Sequence, residues 1–257
     1  MLAGRALGFR AGPSISVRPD GSRPRRRTID IREVLTTLDG MADPSRLAGM
    51  QRYGIATDTA LGVAVPRLRE LARSLGHDHE LASALWDAEI HEARLLATMV
   101  DDPAQVTETQ MEAWVRELGS WDLCDQLAGN LFDRAPFAFE KALEWSAREP
   151  EFVKRAGFAL MACTAVHRKD VGDEAFERFL PAIRAGSSDD RNYVKKGVSW
   201  ALRQIGKRNA ALNRRAIATA HEIREIDARS ARWIASDALR ELESAAVQAR
   251  VAATAAS

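Results

Sequence analysis

From Thr28 onward, apolar residues recur at three- and four-residue spacings in short segments, each closed by Gly, Pro, Asp or Ser. No segment sustains the apolar–polar alternation of a half-buried strand, so the pattern predicts an all-α chain. Helices are expected over 29–40, 43–53, 65–75, 78–86, 89–100, 107–117, 120–132, 136–147, 150–166, 173–185, 189–207, 209–221 and 229–246. Within them one motif returns. Gly157-Phe158-Ala159-Leu160, Ser199-Trp200-Ala201-Leu202 and Ser236-Asp237-Ala238-Leu239 follow one another at spacings of 42 and 37 residues. Helical repeats of roughly 40 residues belong to the HEAT and armadillo range, in which helix pairs stack into a curved superhelix. The expected architecture is therefore a HEAT-like α-solenoid whose concave face is lined by one helix of each pair.

Residues 1–27 lack this periodicity and are rich in Gly, Pro, Ser and Arg, which predicts a flexible basic arm; residues 28–246 form the repeat body and 247–257 an Ala-rich tail. Charge sharpens the division. The net +1 combines +6 over residues 1–27, −12 over 28–151, +8 over 152–215 and −1 over the remainder. A basic block within an otherwise acidic fold suits a polyanionic partner, although a solvated charged face gives the same count. The acidic half is accordingly not expected to be the main surface for that partner, since its charge repels phosphates unless most of its carboxylates lie on the convex side. Cys124 and Cys163 form no CxxC pair and read as buried thiols. With no apolar run of membrane-spanning length and no secretory pattern at the start, the expectation is a cytoplasmic protein.

Read as a helix, 191–209 buries Val194, Gly197, Val198, Ala201, Leu202 and Ile205, and sets Lys196, Trp200, Arg203 and Lys207 in a stripe on the opposite side. Together with Lys195 and Arg208 these are candidate phosphate contacts, with Trp200 placed among cations where a base or sugar would meet it. A second segment, Trp121-Asp122-Leu123-Cys124-Asp125, starts a helix at Ser120. Trp121 and Asp125 are neighbours one turn apart, whereas Asp122 points away and serves the helix dipole. A carboxylate beside an indole can stabilise positive charge developing on a substrate, or it can be a plain first-turn acid. On a third helix Lys154 lies opposite the apolar face and Arg155 on its flank, both within reach of a phosphate. The run His77-Asp78-His79-Glu80 has the spacing of a turn and helix start, so no metal site is expected, and His91 and His167 have no assigned role.

These motifs, taken in order, resemble the bacterial DNA alkylation repair proteins of the alkylpurine glycosylase D type. The resemblance runs from about Met50 to Leu242 and is carried by Tyr53-Gly54-Ile55, Gly62-Val63 with Pro66 and Leu68-Arg69, Trp121-Asp122-x-x-Asp125, Lys154-Arg155, and Lys195-Lys196 with Trp200-Ala201-Leu202-Arg203. It implies a HEAT-like superhelix cradling duplex DNA, and hydrolysis of the N-glycosidic bond of cationic N3- or N7-alkylated purines without metal or cofactor. Asp125 would be the catalytic carboxylate, Trp121 and Trp200 the aromatic residues beside the scissile nucleotide, and Arg155 a DNA-contacting arginine. Leu123-Cys124 inside the Trp-Asp motif, Lys154 before Arg155 and the basic arm depart from the family pattern and place the chain on a side branch. Two other readings stand beside this one: a non-catalytic binder of branched or damaged DNA, and an interaction solenoid for acidic partners. A monomer is expected, because a solenoid closes its own core.

Overall fold

The computed structural model describes residues 30–254, so the basic arm and the last three residues lie outside the description. Its elements are α1 (Ile31–Gly40), α2 (Leu47–Arg52), α3 (Val65–Leu75), α4 (His79–Asp87), α5 (His91–Val100), α6 (Glu108–Arg116), α7 (Trp121–Asn130), α8 (Ala138–Ser146), α9 (Glu151–His167), α10 (Asp173–Glu177), α11 (Leu180–Gly186), α12 (Asn192–Gly206), α13 (Ala210–Arg224), α14 (Arg229–Leu242) and α15 (Ala245–Thr254). The described residues contain no strand. Side chains mark several starts: Asp30, Asp78, Thr107 and Asn209 each accept from an amide in the first turn of the helix that follows. Ser120 holds the N-cap position of α7 without such a bond, contrary to the cap expected there.

Helices α3, α5, α7, α9, α12 and α14 pack in succession into one layer, and α4, α8 and α13 cover it from the other side. The layer is parallel, because contacts between neighbours join positions at similar depth: His91 to Asp122 and Thr98 to Asn130 between α5 and α7, and Ser199 to Asp237 and Arg203 to Glu241 between α12 and α14. This is the HEAT-like superhelix that the repeat predicts. Its core is continuous and includes Trp86 stacked on Trp114 at 4.2 Å, with Phe132 and Trp145 carrying the ring packing onward. The predicted apolar face of α12 is buried throughout.

Three expected elements differ. The helix predicted over 173–185 is broken into α10 and α11 by Pro181, which cannot donate to the carbonyl one turn back and crowds it. The helix predicted over 229–246 stops at Leu242, and α15 begins after Ser244, whose hydroxyl faces the Val247 amide. Residues 247–254, expected as tail, thus continue the fold: Val247 and Val251 are buried where α15 meets α13 and α14.

Candidate functional site

The N-terminal ends of α7, α9 and α12 meet the turn after α2 around a cleft of about 570 Å³ lined by Gln51, Arg52, Tyr53, Gly54, Trp121, Arg155, Asn192, Tyr193 and Lys196. The chain has only two tyrosines, and both are here. The Trp121 indole donates to the Tyr53 carbonyl at 2.9 Å, and the Tyr193 hydroxyl approaches the Gly54 carbonyl at 3.5 Å, so the turn is held from both sides. Gly54 is required: its φ is +75°, and a Cβ there would stand 1.8 Å from the Tyr193 hydroxyl. Tyr53 is 73% exposed and presents its ring outward.

Behind this wall lies Asp125. Arg155 binds its carboxylate in a two-pronged ion pair, Nε to Oδ1 at 3.1 Å and Nη2 to Oδ2 at 2.8 Å, and sends Nη1 to the Tyr193 carbonyl at 2.7 Å. The guanidinium also lies 5.9 Å from the Trp121 ring. Burial raises the Asp125 carboxyl above its ordinary value, and Arg155 opposes the rise without cancelling it. Arg155 itself is only 5% exposed. Where a phosphate-reaching flank residue is expected, the structure has a bracket joining α7, α9 and α12. Asp122 also differs from expectation, since it turns inward to His91, 2.9 Å away. Burial alone would lower the His91 pKa and raise that of Asp122; their pairing outweighs it and shifts both the other way.

The expected basic stripe is largely occupied by partners within the chain. Lys154 is paired with Asp189 at 3.4 Å, Lys207 with Glu241 at 2.5 Å, and Arg203 with Glu241 and Asp237. Arg208 donates to the carbonyls of Ala165 and Val171 and lies over the Phe176 ring at 3.8 Å, which makes it a packing residue. Lys195 stands over the Trp233 ring. Lys196 is exposed and lines the cleft. Trp200 is half-buried against the core, and no contact places it with Trp121. The signal that sequence reasoning missed is the acidic pair Asp237 and Glu241, one turn apart on α14 and 38 residues beyond Ser199 and Arg203. Elsewhere the His77–Glu80 run proves to be a helix start: Asp78 caps α4 and His79 binds Asp101 at 2.7 Å. His167 pairs with the buried Asp133.

No curated protein matches the chain. One solved structure, from a new family of proteins related to the HEAT-like repeat DNA glycosylases with affinity for branched DNA structures, superposes with a TM-score of 0.68 at 19% identity. The match covers 83% of this chain and 96% of that one, and at this identity it speaks to the fold. A designed armadillo repeat protein in complex with a (KR)4 peptide gives a TM-score of 0.32 at 12% identity over 88% of this chain and 81% of that one, too distant to carry an argument. Residues 34–242, nearly the whole repeat body, match the family of DNA alkylation repair enzymes, and the protein belongs to that family.

Proposed function

We propose that the protein is a monofunctional DNA glycosylase that hydrolyses the N-glycosidic bond of cationic N3- or N7-alkylated purines in duplex DNA. The observation that supports this most is a half-buried carboxylate, Asp125, set one helical turn from Trp121 behind a cleft walled by two tyrosines and a tryptophan. An alkylated purine already carries positive charge, so the bond from C1′ to the ring nitrogen breaks with its electron pair leaving on the base. No general acid is required. The deoxyribose left behind is an oxocarbenium ion, which an anionic Asp125 stabilises. Water adds to C1′ and loses its proton to solvent, giving the free base and an abasic site. Arg155 serves by keeping Asp125 ionised although burial favours the neutral acid. Tyr53, Trp121 and Tyr193 offer ring faces to the sugar and base, and Lys196 a cation to the adjoining phosphate.

One observation favours a second reading, a non-catalytic DNA binder. Both oxygens of Asp125 are engaged by Arg155, and Asp125 is not among the side chains lining the cleft. Release of 7-methylguanine from methylated duplex, by wild type and by Asp125→Asn, separates the two. We expect release by wild type and a loss of about 10²–10³ in rate for the variant. Release that survives the substitution removes Asp125 from the mechanism, and no release by wild type selects the binder. Because the variant leaves Arg155 buried without its anion, at about 3–5 kcal/mol, its melting temperature is measured alongside. Trp121→Phe, which keeps the helix start intact, gives an independent reading of the wall.

A further inference from the structure

The aromatic cleft occupies only the N-terminal edge of the parallel layer. At the opposite edge, where the same helices end, two further clefts are lined by cations. The first, about 470 Å³, lies among the ends of α3, α5 and α7 and is lined by Arg69, Arg73, His77 and Arg134 with Ala72, Gly76, Met99 and Asn130; no carboxylate lines it. The second, about 380 Å³, lies beyond α9 and α12 and is lined by Lys169, Lys207, Arg208 and Arg250; Glu241 holds Lys207, the Ala165 and Val171 carbonyls hold Arg208, and Arg250 donates to the Lys207 carbonyl at 3.1 Å.

Cations at helix C-termini have an ordinary use, and part of it is seen here. Arg73 Nε donates to the Arg69 carbonyl at 3.2 Å and Arg134 Nη1 to the Asn130 carbonyl at 3.3 Å. Each bond engages one of the five N–H donors of a guanidinium, and Arg134 Nε also stands 4.0 Å from the Asp133 carboxylate behind the cleft. Arg69, Arg73 and Arg134 are exposed and converge on one cleft from two helices, in the half of the chain whose net charge is −12. In the second cleft, burial and the proximity of Arg208 and Arg250 hold the Lys169 ammonium below its ordinary pKa. Positive charge is therefore crowded there, and an incoming anion would relieve it.

We infer that this edge is a second DNA-backbone track, on which Arg69, Arg73 and Arg134 at one end and Lys169 and Arg250 at the other hold phosphates of the strand opposite the one at Trp121. The inference rests on the DNA reading above and deepens it. The separation suits a duplex: α7 spans 10 residues and α12 15, hence about 15 and 22 Å at 1.5 Å per residue. The grooves of B-DNA are about 6 and 12 Å wide, so a layer of this depth reaches from one backbone across a groove to the next. Repulsion by the acidic half is avoided because the contact is made through its arginines.

The test compares three labelled probes, a short undamaged duplex, one of its single strands and a four-way junction, by fluorescence anisotropy across a salt series. The proteins are the full chain, Arg69→Gln/Arg73→Gln/Arg134→Gln, and Lys169→Gln/Arg250→Gln. All five side chains are exposed and their carbonyl bonds are single surface contacts, so melting temperatures should stay within a few degrees of wild type. A version carrying Lys at the three arginine positions should retain binding. We expect each neutralised variant to lose about tenfold or more in duplex affinity and its log–log salt slope to flatten by roughly 2, with single-strand affinity unchanged. Duplex affinity unaffected by both variants overturns the track while leaving DNA binding intact. Equal loss on single strand and duplex also overturns it, since one backbone would then explain every contact, and a loss confined to the junction assigns the edge to a second arm instead. If wild type binds none of the probes, the DNA reading itself falls.

Discussion

Glu112 on α6 accepts from the Trp145 indole at 2.9 Å and from Arg148 at 2.7 and 3.1 Å, and it stands 2.9 Å from the buried Lys141 ammonium. Burial alone would raise its carboxyl, but these donors win and bring it down to about 2. A carboxylate lowered in the fold contributes stability that is complete above its ordinary pKa and is lost as pH falls through the folded value. Glu112→Gln keeps an acceptor for Trp145 but removes the charge between Lys141 and Arg148. We expect a loss of about 2 kcal/mol, seen as roughly 4–8 °C in melting temperature at neutral pH. The gap between variant and wild type should close as pH approaches 2, and a gap independent of pH would show that packing, not charge, is what Glu112 provides. Asp125 and Asp133 have the opposite sign. Burial raises both carboxyls in the fold, so each disfavours folding as pH rises through its folded value, and Asp125 should lose its anionic role on acidification sooner than an ordinary aspartate.

Helix α9, the longest of the layer, is buried over most of its length, with α8 behind it and α7 and α12 on either side. Gly157 makes the approach to α8 possible, since a Cβ there would lie 2.4 Å from the Ser146 amide nitrogen and 2.9 Å from the Ala142 carbonyl. Backbone cannot yield as a side chain can, so Gly157→Ala should cost about 1–3 kcal/mol despite the better helix propensity of Ala. A melting temperature equal to wild type would mean that the two helices separate freely. The repeated Gly-Phe-Ala-Leu motif that carries Gly157 is also what made the solenoid legible, because a 3.6-residue period and a repeat of roughly 40 residues both follow from local packing. Helix faces were legible for the same reason, as the buried face of α12 shows. Side-chain pairing was not. Arg155 with Asp125, Arg203 with Glu241 and His91 with Asp122 join residues 30–38 apart, and spacing within one helix says nothing about what its neighbour presents. Trp121 and Asp125 could be found as neighbours on one helix, whereas Tyr193 enters the cleft only because α12 begins beside the turn at Gly54.

For the molecule as a whole, the ion pairs redistribute the charge available to a polyanion. Lys154, Arg155, Arg203 and Lys207 carry cations that carboxylates of the same chain already answer. A phosphate reaching any of them would compete with a fixed partner, so these residues contribute less to counterion release than a count of the +8 block suggests. Lys196 and the solvent-exposed cations of the two C-terminal clefts, Arg69, Arg73, Arg134, Lys169 and Arg250, are the ones a phosphate can approach from solvent. If about five phosphates are neutralised there, log affinity for plain duplex should fall against log salt with a slope near −4 to −5. Residues 1–27 add seven arginines against Asp20, and they precede the stretch that matches the repair family. Deleting them should therefore weaken binding to undamaged duplex and flatten the slope further, while base release per bound complex stays within about twofold because Asp125, Trp121 and the tyrosines are untouched. The two effects are separable by single-turnover release at saturating protein. A deletion that leaves the slope unchanged would confine the DNA contacts to the repeat body, and one that abolishes release at saturation would place the N-terminal arginines at the cleft itself.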